Sequence, residues 1–244
     1  MMTFEELTAL LLLAAVMSFS PGPNTTLSAA LGANFGFRQA LPFICAVPLG
    51  WSLLLVISAL GLGAVLLAVP LLALALKAAG VAYLLYLAWR LAFGQTRMGN
   101  TGAGGDKLPA SRHASSPTSS RIGFWQGVLL QFVNTKAWML ALTIVSGWVA
   151  GRSEPGLRLL TVVPVLATYA FASNALYALT GALLRGWLAG PEGTGRRLMR
   201  FNQLMALMLV VTAGWMALTP PASGTSVASV MSVMSVKSIT QVAP

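Results

Sequence analysis

FEELTALLLLAAVMSFSPGPNTTLSAALGANFG, residues 4–36, is the stretch on which the fold turns. It is almost wholly apolar or small. As one straight helix it would run about 50 Å at 1.5 Å per residue, against a hydrocarbon core of about 30 Å. In its middle stands Ser20-Pro21-Gly22-Pro23-Asn24. Two prolines remove two backbone donors and clash with the preceding turn, so the spacing predicts a break at which carbonyls around Met17 to Phe19 lose their helical partners. At membrane depth such carbonyls must be buried in protein or face a hydrated cavity. They suit an ammonium group, and the free N–H groups of the helix restarting after Asn24 suit a carboxylate. The competing reading is a plain extramembrane turn between two helices.

Further apolar stretches recur at residues 40–67, 70–93, 122–149, 157–186 and 198–218. The chain is 57% hydrophobic and only 8% charged, whereas soluble domains are about a quarter charged. The expected fold is therefore all-α, a polytopic membrane protein of about six transmembrane helices that partners the lipid bilayer. Glu5 and Glu6 precede the first apolar run where a cleavable leader would carry basic residues, so that run is expected to stay. The net charge of +10 would suit nucleic acid, but its distribution argues otherwise. With six spans, one side collects Arg38, Arg90, Arg97, Lys107, Arg112, Arg121, Arg185, Arg196, Arg197 and Arg200, and the other Arg152, Arg158 and Lys237. The positive-inside rule then puts both ends outside the cytoplasm, and the basic excess reads as a topology signal with no nucleic-acid partner.

Residues 94–121, rich in Gly, Ser, Thr and Pro, read as a flexible cytoplasmic linker between two three-helix halves, 1–93 and 122–218. Three spans per half is an odd number, so halves that share a fold must sit in opposite orientations, a 3+3 inverted repeat. Asn24 and Asn134, each in the first span of its half, echo that plan. Residues 219–244 read as a disordered C-terminal tail. Cys45, the single cysteine, is expected as a buried core thiol. Trp89, Trp125, Trp148, Trp187 and Trp215 fall near span ends and read as headgroup anchors, and Trp138 as a packing residue.

Within the fourth span, Gln131, Asn134, Thr135 and Lys136 form a dense polar cluster. A lysine there costs roughly 2.5 to 3.5 kcal/mol on insertion, so Lys136 should face a cavity or a partner, the alternatives being snorkelling and interhelical bonding by Asn134. On a regular helix Asn134 and Lys136 lie about 200° apart, so both meet one ligand only where the helix deforms near Thr135. Asn174, with Ser173 and Tyr177, is the remaining mid-span polar group, and Lys77 reads as a snorkelling residue. No Asp or Glu falls in a span interior, and His113 lies in the linker. No nucleophile, metal-ligand or phosphate-loop constellation is present, so neither an enzyme nor a cofactor is expected.

Ser20-Pro21-Gly22-Pro23-Asn24 with Gly32, Gly36 and Arg38, followed by Leu76-Lys77 and Gly80-Val81-Ala82-Tyr83-Leu84, resembles the LysE/RhtB family of bacterial amino-acid exporters over residues 4–218. Phe124-Trp125, Gln131-Phe132-Val133-Asn134-Thr135-Lys136 and Leu87-Ala88-Trp89-Arg90 look like its cysteine/O-acetylserine branch. Much of that family has Asn-Pro-Lys where this chain has Asn134-Thr135-Lys136, so no proline enforces a break here. The resemblance implies a secondary transporter in the bacterial inner membrane, exporting a small neutral amino acid or derivative, with homo-oligomers left open. A substrate site is expected at Pro21, Gly22, Pro23, Asn24, Gln131, Asn134, Lys136 and Asn174, with Pro21 to Asn24 for the substrate's charged ends, Lys136 for its carboxylate or for proton handling, and interhelical hydrogen bonding an equal alternative for Asn174. A non-transporting scaffold or regulatory subunit is the alternative from the residues alone.

Overall fold

The computed structural model describes residues 2–62, 68–93, 122–190 and 195–219. The expected linker, 94–121, and all of the expected tail beyond Thr219 lie outside the described residues. Among the described residues every regular element is helical: α1 (Phe4–Phe19), α2 (Pro23–Phe35), α3 (Phe37–Ile57), α4 (Pro70–Phe93), α5 (Phe124–Val133), α6 (Thr135–Ile144), α7 (Pro155–Ala189) and α8 (Arg196–Leu218). Wider π-type turns, Ser58–Leu62 and Val145–Val149, extend α3 and α6.

Four elements, α3 with its extension, α4, α7 and α8, are each long and apolar enough to cross a membrane. The first and fourth expected spans are instead bent pairs: α1 and α2 meet at 51°, and α5 and α6 with its extension at 69°. Counting each pair as one crossing gives six, and the molecule is an all-α, polytopic membrane protein. Leu12, Val16, Leu71, Leu129, Leu183 and Leu207 are among many large apolar side chains left on its outside, the surface that lipid covers in place of water.

The start of α1 is set by local chemistry. Thr3 Oγ1 accepts from the Glu6 N–H at 3.2 Å while the Glu6 carboxylate accepts from the Thr3 N–H at 3.0 Å, a reciprocal cap that satisfies two helix-end donors. Glu6 also ties α1 to the start of α7. Its carboxylate lies 3.1 Å from Arg158 and 3.3 Å from Arg152, and its carbonyl accepts from Trp148 Nε1 at 2.9 Å. Arg158 is 7% exposed and also donates to the Trp148 carbonyl at 3.3 Å and to that of Ser153 at 3.3 Å, so its charge is matched.

Below the first break the packing is of another kind. Helix α2 is buried along most of its length and lies against α7, α3 and α8. A Cβ added at Gly32 would run into the Ala178 carbonyl, and one at Gly181 into the Ala29 carbonyl. The two glycines thus let α2 and α7 touch backbone to backbone, as small residues do between membrane helices. Gly80 does the same for α4 against the Val133 carbonyl, at the edge of the second break.

Two expectations are corrected. Cys45 is exposed, on the outer face of α3, and is no core thiol: Phe43, Ile44, Ala46 and Val47 take the inward positions around it. Trp148 is buried and spends its N–H on Glu6, so it anchors α1 and not the headgroups. Lys77, read as a snorkelling residue, donates from its ammonium to the Ala217 and Thr219 carbonyls, both at 2.7 Å, at the C-terminal end of α8, where a cation is favoured. Trp89, Trp125, Trp187 and Trp215 are exposed, as headgroup anchors would be, and Trp138 is packed inside.

Candidate functional site

The first break is built by subtraction. Pro21 and Pro23 cannot donate, and Gly22 runs fully extended between them (φ −165°, ψ −177°). The carbonyls they release do not stay free. Ser20 Oγ donates to the Met17 carbonyl at 3.0 Å, and Tyr177 OH donates to that of Phe19 at 3.0 Å. Helix α2 then restarts with Pro23 in its first position, where a missing N–H costs nothing. Thr25 Oγ1 accepts from the Gly22 N–H at 2.9 Å. The first-turn N–H groups of Asn24 and Thr25 have no carbonyl partner in a helix that begins at Pro23.

The second break needs no proline. Asn134 leaves the helix (φ −85°, ψ 100°), and its Oδ1 accepts from the Lys136 N–H at 3.2 Å to cap α6. Trp138 Nε1 donates to the Phe132 carbonyl at 2.7 Å, satisfying a group the break would otherwise orphan. The bend turns Lys136 towards the first break, where its ammonium donates to Ser20 Oγ at 2.9 Å. Lys136 has no carboxylate partner among the described residues. Behind the junction Asn24 and Gln131 exchange both amide hydrogen bonds, at 2.9 and 3.1 Å, and Gln131 also donates to the Gly127 carbonyl at 3.1 Å.

A cavity of about 70 Å³ opens where the breaks meet. A cavity needs roughly 10 to 15 Å³ by this measure to hold one water, so this one has room for several. Its polar wall is Ser18, Ser20, Gly22, Asn24, Thr25, Asn134, Lys136, Ser173 and Asn174. The remainder is apolar, including Leu13 and Ala14 of α1, Val47 and Trp51 of α3, Leu140 and Ile144 of α6 and Leu166 of α7. Asn174 is fixed by Ser28, whose Oγ donates to its Oδ1 at 2.8 Å, and by its own bond to the Ala170 carbonyl at 2.8 Å.

Of the eight residues expected at the site, Gly22, Pro23, Asn24, Asn134, Lys136 and Asn174 line this cavity. Pro21 is exposed beside it, and Gln131, 0% exposed, stands behind Asn24 with both ends of its amide engaged. Ser20 and Trp51 line the cavity without having been singled out for it. Ser20 had a signal, being the first residue of the interrupting pentapeptide. Trp51 had none, because the positions three and four away from it, Val47, Pro48, Leu54 and Leu55, are all apolar.

Electrostatically the junction is positive. Lys136 brings a full charge, and the starts of α2 and α6, both facing the cavity, bring the positive poles of two helix dipoles. The end of α1 supplies a negative pole on the cavity wall, through Met17, Ser18 and Ser20, whereas α5 ends at Val133, outside that wall. The arrangement is chemically matched to a small zwitterion or carboxylate with a short apolar body.

Comparison with known proteins agrees with this chemistry. Proteins named cysteine/O-acetylserine efflux protein are similar to the chain: one from Escherichia coli (strain K12) is 29% identical over 81% of this chain and 90% of its own length. One from Salmonella typhimurium is 28% identical over the same shares, and one from Klebsiella pneumoniae 26% identical over 75% of this chain and 85% of its own. No solved structure matches. The family model described as LysE type translocator matches residues 15–219, both breaks included, and the chain belongs to that family.

Proposed function

We propose that the protein is a secondary transporter that exports a small neutral amino acid or derivative, of the cysteine or O-acetylserine kind, across the bacterial inner membrane. The observation that carries this reading is the Lys136 ammonium, held against Ser20 at the meeting of two helix breaks beside a cavity and lacking a carboxylate partner among the described residues. A substrate carboxylate completes that charge, with the first-turn N–H groups of Asn24 and Thr25 as further donors. The substrate ammonium takes the C-terminal pole of α1 at the Ser18 oxygens, the Ser20 hydroxyl being held by Lys136. Two charges at opposed poles and a short apolar wall favour a small neutral amino acid, and Lys136 opposes a cationic side chain.

Each half of the chain opens with its broken helix, which supports the inverted 3+3 plan and makes the two breaks the pivots of alternating access. In the orientation set by the loop charges, the Glu6–Arg158 tie faces outside and the glycine contact of α2 with α7 lies towards the cytoplasm. The test is efflux from cells preloaded with labelled cysteine, O-acetylserine, alanine and lysine, with and without the protein. Saturable, protein-dependent loss of a small neutral amino acid, with lysine retained, is expected. Efflux unchanged across the panel would sink the transporter reading in favour of a scaffold.

A further inference from the structure

On its apolar side the cavity holds a donor that the zwitterion does not use. Trp138 and Trp148 are buried and each spends its indole N–H on a backbone carbonyl, at 2.7 and 2.9 Å. Trp51 is also buried, 9% exposed, and lines the cavity. Its N–H has no hydrogen-bond partner among the described residues. An indole nitrogen donates and cannot accept, and buried indoles ordinarily find an acceptor, because an unpaired buried donor carries the full cost of its lost hydration. Replacement by phenylalanine would remove that cost and keep most of the packing, so the N–H calls for a partner of its own.

The surroundings say what that partner is. Trp51 belongs to the apolar cluster that includes Ala14, Ile144 and Leu166, with Leu13 packed against it, and those four residues also line the cavity. Apart from Ser173 and Asn174 on α7, the polar groups of the wall come from the two breaks and the helix ends beside them, where the charged ends of a zwitterion go. What reaches the apolar end is the substrate's side chain.

We propose that Trp51 is a specificity-determining residue whose indole N–H donates to an oxygen or sulfur acceptor on the substrate side chain. This rests on the transporter reading above and narrows its substrate class. Among small neutral amino acids the site selects those with an acceptor on a short side chain, such as an ester, hydroxyl or thioether, over those with a hydrocarbon side chain. A site built to hydrogen-bond a substrate group rejects analogues that lack it far more strongly than an apolar pocket rejects an extra methylene.

The experiment compares labelled O-acetylserine and labelled 2-aminobutyrate as substrates in proteoliposomes containing the full chain, the Trp51→Phe variant, and a second variant with the indole of Trp51 replaced by isosteric benzothiophene. The readout is the ratio of the two kcat/KM values within each protein, from which expression and folding losses cancel. The ratio should fall about tenfold or more in both variants. The benzothiophene variant decides the matter even where Trp51→Phe fails to fold, because only the N–H is lost. A wild-type ratio in the benzothiophene variant overturns the proposal, the N–H then being satisfied by water or by nothing. Transport of neither compound by the unaltered protein overturns the transporter reading itself, a separate failure.

Discussion

The helix pairs α1–α2 and α5–α6 are broken facing one another, by unlike means. The first break is compulsory: Pro21 and Pro23 forbid the ladder, and Ser20 and Tyr177 take up the Met17 and Phe19 carbonyls. The second is elective. Nothing from Phe124 to Val149 prevents a continuous helix, and the bend there is nonetheless the sharper, 69° against 51°. Asn134 accepts an extended backbone and caps α6, Trp138 covers the Phe132 carbonyl, and Lys136 gains Ser20. A prohibited helix is written in its own residues. A permitted break is written in its partners.

The largest expected effect comes from cutting the tie between the breaks. Lys136→Met keeps length and apolar bulk and removes the charge. A hydrogen bond to a charged group contributes about 1.5 to 3 kcal/mol, so kcat/KM for export should fall about 10- to 150-fold at matched membrane abundance. Next is the brace behind them. Gln131→Leu leaves the Asn24 amide facing an apolar side chain, with an expected cost of about 1 to 3 kcal/mol that thermal unfolding in detergent would register as a lower Tm. A Tm equal to wild type would mean that Asn24 finds another partner.

Asn134→Ala removes the cap of α6 and should cost about 1 kcal/mol, with Asn134→Asp recovering most of it. If Asn134→Ala leaves both Tm and export unchanged, the bend is held by Lys136 and Trp138 alone. The smallest effect is the most pointed. Thr135→Pro installs a proline at the first position of α6, after a residue whose backbone is already extended (φ −85°, ψ 100°), the conformation that proline favours before it. Stability should stay within about 0.5 kcal/mol of the original. A large loss would mean that the Thr135 N–H or hydroxyl has work to do at the break.

The same contrast governs how much was legible in the sequence. The spans anticipated at 70–93 and 198–218 match α4 (Pro70–Phe93) and α8 (Arg196–Leu218) closely, because long apolar runs with charged or proline ends leave little choice. The first break was legible for the reason that made it, its two prolines. The second was legible only as a condition: Asn134 and Lys136 could meet a ligand together if the helix deformed, and one of the bonds that hold the deformation goes to Ser20, remote in the chain. Residues defined by remote partners were misjudged in the same way. Trp148 looked like a headgroup anchor from its position near a span end, whereas its donor goes to the Glu6 carbonyl. Cys45 was assigned inward by the habits of its residue type, but the phase of α3 turns it out. Trp51 gave no warning, since an orphaned donor is visible only once its surroundings are.

The most direct measurement is binding to the purified protein in lipid nanodiscs, comparing cysteine with cysteinamide, which lacks the carboxylate, on the unaltered chain and on Lys136→Met. If Lys136 holds the substrate carboxylate, the unaltered protein binds cysteine at least about tenfold more tightly than the amide, and Lys136→Met loses most of that preference by weakening cysteine alone. A preference that survives intact in Lys136→Met would contradict the assignment and place the carboxylate elsewhere.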